Sequence, residues 1–147
     1  MSQGQDRSAH SVLVDTSVWF AGANIRDHNN ARAKQLLSGV AVPLLTDHVL
    51  IETWGLLNIR IHREAAEQFW SSVRLGGVRC EKVTDSDWET AWEIGRAFPD
   101  QDFSIVDRTS FAVMERLGIK RAASFDHHFA IYRYGPGRKK AFDIIND

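Results

Sequence analysis

Hydrophobic positions along this chain follow two rhythms. Apolar runs of strand length occupy residues 11–15, the last of them acidic, and 40–45, the second interrupted by Pro43 so that its useful part is residues 43–46. Such runs suit strands buried on both faces, as in the middle of a parallel sheet. Residues 78–83 and 121–125 read as a third and a fourth strand, and residues 129–132 as a short edge strand. Between the runs, apolar residues recur every three or four positions, the spacing of one helical face. Val49, Thr53, Trp54 and Leu57 share such a face, as do Ala65, Ala66, Phe69, Trp70 and Val73.

Local signals punctuate these segments. Thr16 or Ser17 is placed to cap a short helix carrying Val18 to Phe20, and a helix over residues 29–37 ends at Ser38 and Gly39. Thr46 or Asp47 opens the next helix. Thr84 with Asp87, and Ser104 with Asp107, have the spacing of two capping boxes, in which a hydroxyl and a carboxylate three residues on satisfy each other's backbone N–H. Pro99 ends the first of those helices and Gly118 the second. Helices alternating with strands predict an α/β domain of three layers, α/β/α, with a mostly parallel central sheet. At 147 residues the chain is expected to form one domain over residues 1–147.

Composition adds exclusions. The single Cys80 rules out an internal disulfide and a cysteine-rich zinc site, and the polar residues 1–10 contain no apolar signal core. No segment has the length of a membrane span, so a soluble cytoplasmic protein is expected. A formal net charge of -1 gives no whole-molecule attraction to nucleic acid, although residues 133–147 hold a basic tail with Arg133, Arg138, Lys139 and Lys140.

The candidate chemistry is carboxylate chemistry. Asp15 ends the first strand and Asp126 follows the fourth, so parallel strands would open both toward one sheet edge. Glu52 and Asp107 lie near the starts of helices that follow loops at the same edge, where ligands gather in open α/β sheets. Converging carboxylates suit magnesium or manganese, which prefer oxygen ligands and activate water for phosphodiester cleavage. Thr16 and Ser104 carry hydroxyls able to orient those acids, with helix capping as their ordinary role, and Asp102 competes with Asp126 for the fourth position. His127 and His128 invite an acid/base or zinc assignment, but adjacent side chains usually point apart. Arg108 is a candidate phosphate contact, while the five tryptophans read as core or interface packing.

Four segments in order, VDTSVW at 14–19, VLIETW at 49–54, FSIVDRTSF at 103–111 and SFDHHF at 124–129, together resemble the PIN domain family, in particular its VapC-like toxin ribonucleases of bacterial toxin-antitoxin pairs. The resemblance spans residues 12–131 and implies that Asp15, Glu52, Asp107 and Asp126 are catalytic metal-site acids. It further implies a Mg2+ or Mn2+ endoribonuclease acting on structured RNA, a homodimer and a cognate antitoxin. Two other readings remain at this stage. One is a PIN-like RNA- or protein-binding module without catalysis; the other is an acidic-site phosphotransfer enzyme, disfavoured because Asp15 is followed by Thr16 and Ser17 rather than by a second early acid.

Overall fold

The computed structural model describes residues 10–147, and the polar lead-in at residues 1–9 lies outside the described residues. Five parallel strands, β1 (Ser11–Val14), β2 (Val42–Thr46), β3 (Arg79–Glu81), β4 (Arg121–Ala123) and β5 (Asp143–Ile145), form one sheet in the order β3-β2-β1-β4-β5. The helices are α1 (Thr16–Ala23), α2 (Asn30–Gly39), α3 (Asp47–Arg60), α4 (Arg63–Leu75), α5 (Asp85–Ala97), α6 (Ile105–Leu117) and α7 (His128–Ile131).

The apolar runs are explained by burial on both sheet faces. Val12 and Val14 of β1 and Leu45 of β2 point into a core built with Trp19, Leu36, Val49, Phe69 and Val73 from α1 to α4. Leu13 and Leu44, one position out of phase, enter a second core with Ile94, Phe111, Met114 and Phe129 from α5 to α7. In that second core Phe111 stacks on Tyr132 at 4.3 Å between ring centres. Each such fully buried aromatic contributes roughly 1.5–3 kcal/mol through apolar burial.

The sheet order places β1 in the centre with β2 on one side and β4 on the other. The connections that follow β1 and β4 run to opposite sides, toward β2 and β5, so a crevice opens beyond the carboxyl ends of β1 and β4. Register fixes its floor: Val14 pairs with Ala123, and the Asp15 N–H donates to the Ala123 carbonyl at 2.9 Å. The indole N–H of Trp19 donates to the Val14 carbonyl at 2.9 Å, tying the first turn of α1 to the end of β1.

Both capping boxes form as the spacing predicts, Thr46 caps α3, and Gly118 ends α6 in the left-handed region at φ 69°. Two expectations are corrected. Residues 129–132 are not an edge strand: His128–Ile131 is the short helix α7, because Phe129 and Tyr132 both turn inward at helical spacing, which a strand reading also accommodates over so few residues. The sheet edge is instead β5, from the apolar end of the tail. α1 is capped at Asp15 rather than at Thr16 or Ser17. Core packing holds for Trp19, whereas Trp70, Trp88 and Trp92 are exposed by 45%, 46% and 63%.

Candidate active site

The acids predicted to meet do meet. An open pocket of about 560 Å³ at the β1–β4 crevice is lined by Asp15, Glu52, Asp102, Asp107 and Asp126, together with Thr16, Ser104 and His128.

Asp15 is the most enclosed of them at 4% exposure. Its carboxylate makes no cap hydrogen bond to α1. Instead Oδ2 accepts from the Ser17 hydroxyl at 2.9 Å and from the Ser124 hydroxyl at 3.0 Å. Burial pushes its pKa up to about 6; the two hydroxyls pull the other way, and the charge of Asp107 adds to the rise.

Asp107 stands on the first turn of α6. Its Oδ2 accepts from the Ser104 N–H at 3.0 Å and lies 2.9 Å from Nδ1 of His128. Burial raises its pKa, the Ser104 N–H and His128 oppose that rise, and Asp126 reinforces it. Glu52 lies in the second turn of α3. Burial raises its pKa, the Thr16 hydroxyl offsets part of the rise, and Asp107 and Asp126 add to it.

Asp126 sits just past β4, half-buried. Its Oδ1 accepts from the His128 N–H at 2.9 Å and lies 3.4 Å from that residue's Nδ1. Asp102 also faces the pocket but is exposed, while Ser104 serves as the cap of α6.

The arrangement fits a divalent cation. Three acids are raised by burial and by one another, the signature of carboxylates gathered without enough positive charge among themselves. Thr16, only 7% exposed, lines the same pocket with its hydroxyl directed at Glu52. The donors are oxygens, the set preferred by magnesium and manganese.

With this geometry established, the comparisons with known proteins decide the family. A PIN domain model matches residues 12–133. The chain belongs to the PIN domain family. It is 42% identical over 121 residues to the 23S rRNA-specific endonuclease VapC20 of Mycobacterium tuberculosis, covering 81% of this chain and 92% of the relative. The crystal structure of that VapC20, described as a sarcin-ricin loop cleaving toxin, superposes with a TM-score of 0.76 at 41% identity over 81% of this chain and 92% of its own. FitAcB from Neisseria gonorrhoeae, at 11% identity and a TM-score of 0.58, covers 79% of this chain and 88% of its own and shares the fold. The PIN fold and the VapC20 likeness together fit a toxin-antitoxin ribonuclease.

Some PIN pocket residues escaped the sequence reading. Ser124, 1% exposed, links β4 to Asp15, and Ser17 reaches across to the Phe125 N–H at 3.0 Å. The signal available for Ser124 was a serine at the end of a buried strand, two residues before the fourth acid. His127 and His128 do not point apart: their ligand nitrogens and Asp126 lie within 4.8 Å of one another, because these residues open a helical turn rather than an extended strand. Arg108, the candidate phosphate contact, does not line the pocket. Its guanidinium lies against Gly95 of α5, where a Cβ would stand 2.2 Å from it, and donates to the Phe103 carbonyl at 3.0 Å.

Proposed function

We propose that this PIN domain is a divalent-metal-dependent endoribonuclease and the toxin of a toxin-antitoxin pair, with Asp15, Glu52, Asp107 and Asp126 holding the metal. The observation that carries this reading is the convergence of these four acids on one pocket at the sheet's switch point, where burial and neighbouring carboxylates raise the pKa values of Asp15, Glu52 and Asp107. A bound Mg2+ or Mn2+ would supply charge neutralisation at the phosphate and acidify the attacking water.

The chain's own residues do the rest. Ser17 and Ser124 fix the Asp15 carboxylate from two sides, so its orientation is set before substrate arrives. Ser104 and His128 do the same for Asp107, and the backbone N–H of His128 steadies Asp126. The Thr16 hydroxyl supports the Glu52 carboxylate. In-line attack on this platform leaves a 5' phosphate and a 3' hydroxyl.

VapC20 is described as cleaving the sarcin-ricin loop. We take the corresponding hairpin of 23S rRNA as the first substrate to test. A cognate antitoxin and a second copy of the chain complete the proposed partners; Ile51 and Trp70, exposed beside Leu50 and Trp54 on α3 and α4, supply apolar surface of the kind such contacts bury. Among the described residues no helix is long and apolar enough to cross a membrane, which accords with the cytoplasmic location this function needs.

The test is cleavage of that hairpin and of an RNA panel by purified, partner-free protein with Mg2+ or Mn2+, with RNA ends mapped beside Asp15→Asn. Discrete metal-dependent cuts lost in the variant are expected. Equal cutting by Asp15→Asn, or cutting undiminished by chelator, would refute the reading.

A further inference from the structure

The proposed substrate is a polyanion, yet the pocket is lined by carboxylates from Asp15, Asp27, Glu52, Asp102, Asp107 and Asp126. Among the described lining residues, Arg60 is the one arginine or lysine. Glu52, Leu56 and Arg60 all line the pocket at intervals of four along α3. One helix face therefore carries a proposed metal ligand at one end and a cation about 12 Å further on, at a rise of about 1.5 Å per residue.

Arg60 is free to engage a ligand. It is exposed, and no hydrogen bond or ion pair to it appears among the described residues. Its described contact is with the half-buried ring of Phe20, whose centre lies 5.8 Å below the guanidinium carbon. A cation–π contact of this kind occupies no N–H donor, so the guanidinium keeps its capacity to bind phosphate oxygens in a fork. Arg32, near the same pocket, is committed elsewhere. It lies over Phe125 but is tied to Asn29, to the Asn146 carbonyl and to Asp147.

The ordinary reading of Arg60 is a helix C-terminal cation, since it is the last residue of α3. That role explains its charge but neither its place on the pocket wall nor its seat on Phe20. We infer that Arg60, held on Phe20, is a substrate-binding residue that grips an RNA phosphate flanking the one being cleaved. The inference rests on the endoribonuclease reading and assigns one phosphate contact within it. A flanking contact anchors RNA at a distance from the acids and leaves the reacting phosphate to them. It therefore acts on binding more than on the chemical step.

The experiment measures steady-state cleavage of the 23S sarcin-ricin hairpin at saturating Mn2+ by wild type, Arg60→Gln and Arg60→Lys, over a series of KCl concentrations. Arg60→Gln is expected to raise KM about tenfold with kcat held within about twofold, the pattern of lost uniform binding. Its dependence of log(1/KM) on log[salt] should become shallower by about 0.7, the share of one single-strand phosphate contact. Arg60→Lys should restore the salt slope and part of the KM. An unchanged unfolding midpoint for Arg60→Gln separates this from a merely structural role. If Arg60→Gln cuts with wild-type KM and salt slope, the assignment is overturned while the endoribonuclease reading stands; if wild type itself leaves the hairpin and the RNA panel intact, the endoribonuclease reading falls and the assignment with it.

Discussion

Two helices of this protein begin in the same way and end up with opposite electrostatics. Thr84 and Asp87 open α5 and Ser104 and Asp107 open α6, each pair closing a complete capping box around a buried aspartate. Opposite Asp87 stands Arg116, whose Nε and Nη2 donate to Oδ1 and Oδ2 at 3.0 Å each. Burial would raise the Asp87 pKa, but the Arg116 and Thr84 hydrogen bonds outweigh it and hold the carboxyl below its ordinary value. Opposite Asp107 stand other acids, with His128 as the nearest relief, and its pKa is raised. The local motif sets the helix start in both places. What the carboxylate is for depends on the charge that faces it across space.

The largest test of that contrast is catalytic. Asp107→Asn keeps the helix-capping geometry nearly intact while removing a proposed metal ligand, so cleavage is expected to fall by at least about 100-fold, read from initial rates on a substrate that wild type cuts. Asp87→Asn should cut at close to the wild-type rate per folded molecule.

Stability should move in the other direction. The Asp15 carboxyl, raised from 3.8 to about 6, favours folding in its protonated form. Its contribution is fully present below about pH 4 and is lost as pH rises through about 6. Asp15→Asn is therefore expected to stabilise metal-free protein at pH 7.5 by up to about 3 kcal/mol, with the gain vanishing below pH 4 in denaturant melts. Adding Mn2+ should raise the wild-type midpoint and leave that of Asp15→Asn nearly unmoved.

Asp87 carries the opposite sign. Its lowered pKa stabilises the fold above the ordinary carboxylate range, and that stabilisation is lost as pH falls through its folded value. Asp87→Asn should cost about 2 kcal/mol at neutral pH, because Arg116 is only one-third exposed and loses its charged partner. Chemical denaturation at pH 7 and in acid checks this, with the difference between variant and wild type shrinking in acid.

The smallest effect is the most closely matched. Thr84→Ala and Ser104→Ala each remove one cap hydroxyl, at about 1 kcal/mol of stability apiece. Only Ser104→Ala should also slow cleavage, because it loosens the turn that carries Asp107. Equal rates in the two variants would dissolve the distinction between the boxes.

Much of this was legible in the sequence for definite reasons. The run Ser11 to Val14 ends in Asp15, and burial on both faces leaves few alternatives to a central strand. Both capping boxes are contained within four consecutive residues, so local spacing sufficed. The contacts that separate them were not legible: Arg116 lies 29 residues from Asp87, and His128 lies 21 from Asp107. α7 was misread because four residues from His128 to Ile131 cannot distinguish a helical from an extended period. β5 was missed because only three residues pair at that edge.

The most direct test of the account places Asp107→Asn and Asp87→Asn side by side, measuring metal-dependent RNA cleavage and unfolding free energy for each at pH 7.5. A crossing is expected, with Asp107→Asn folded but inactive and Asp87→Asn active but less stable. An Asp107→Asn protein that cleaves at the wild-type rate would contradict it.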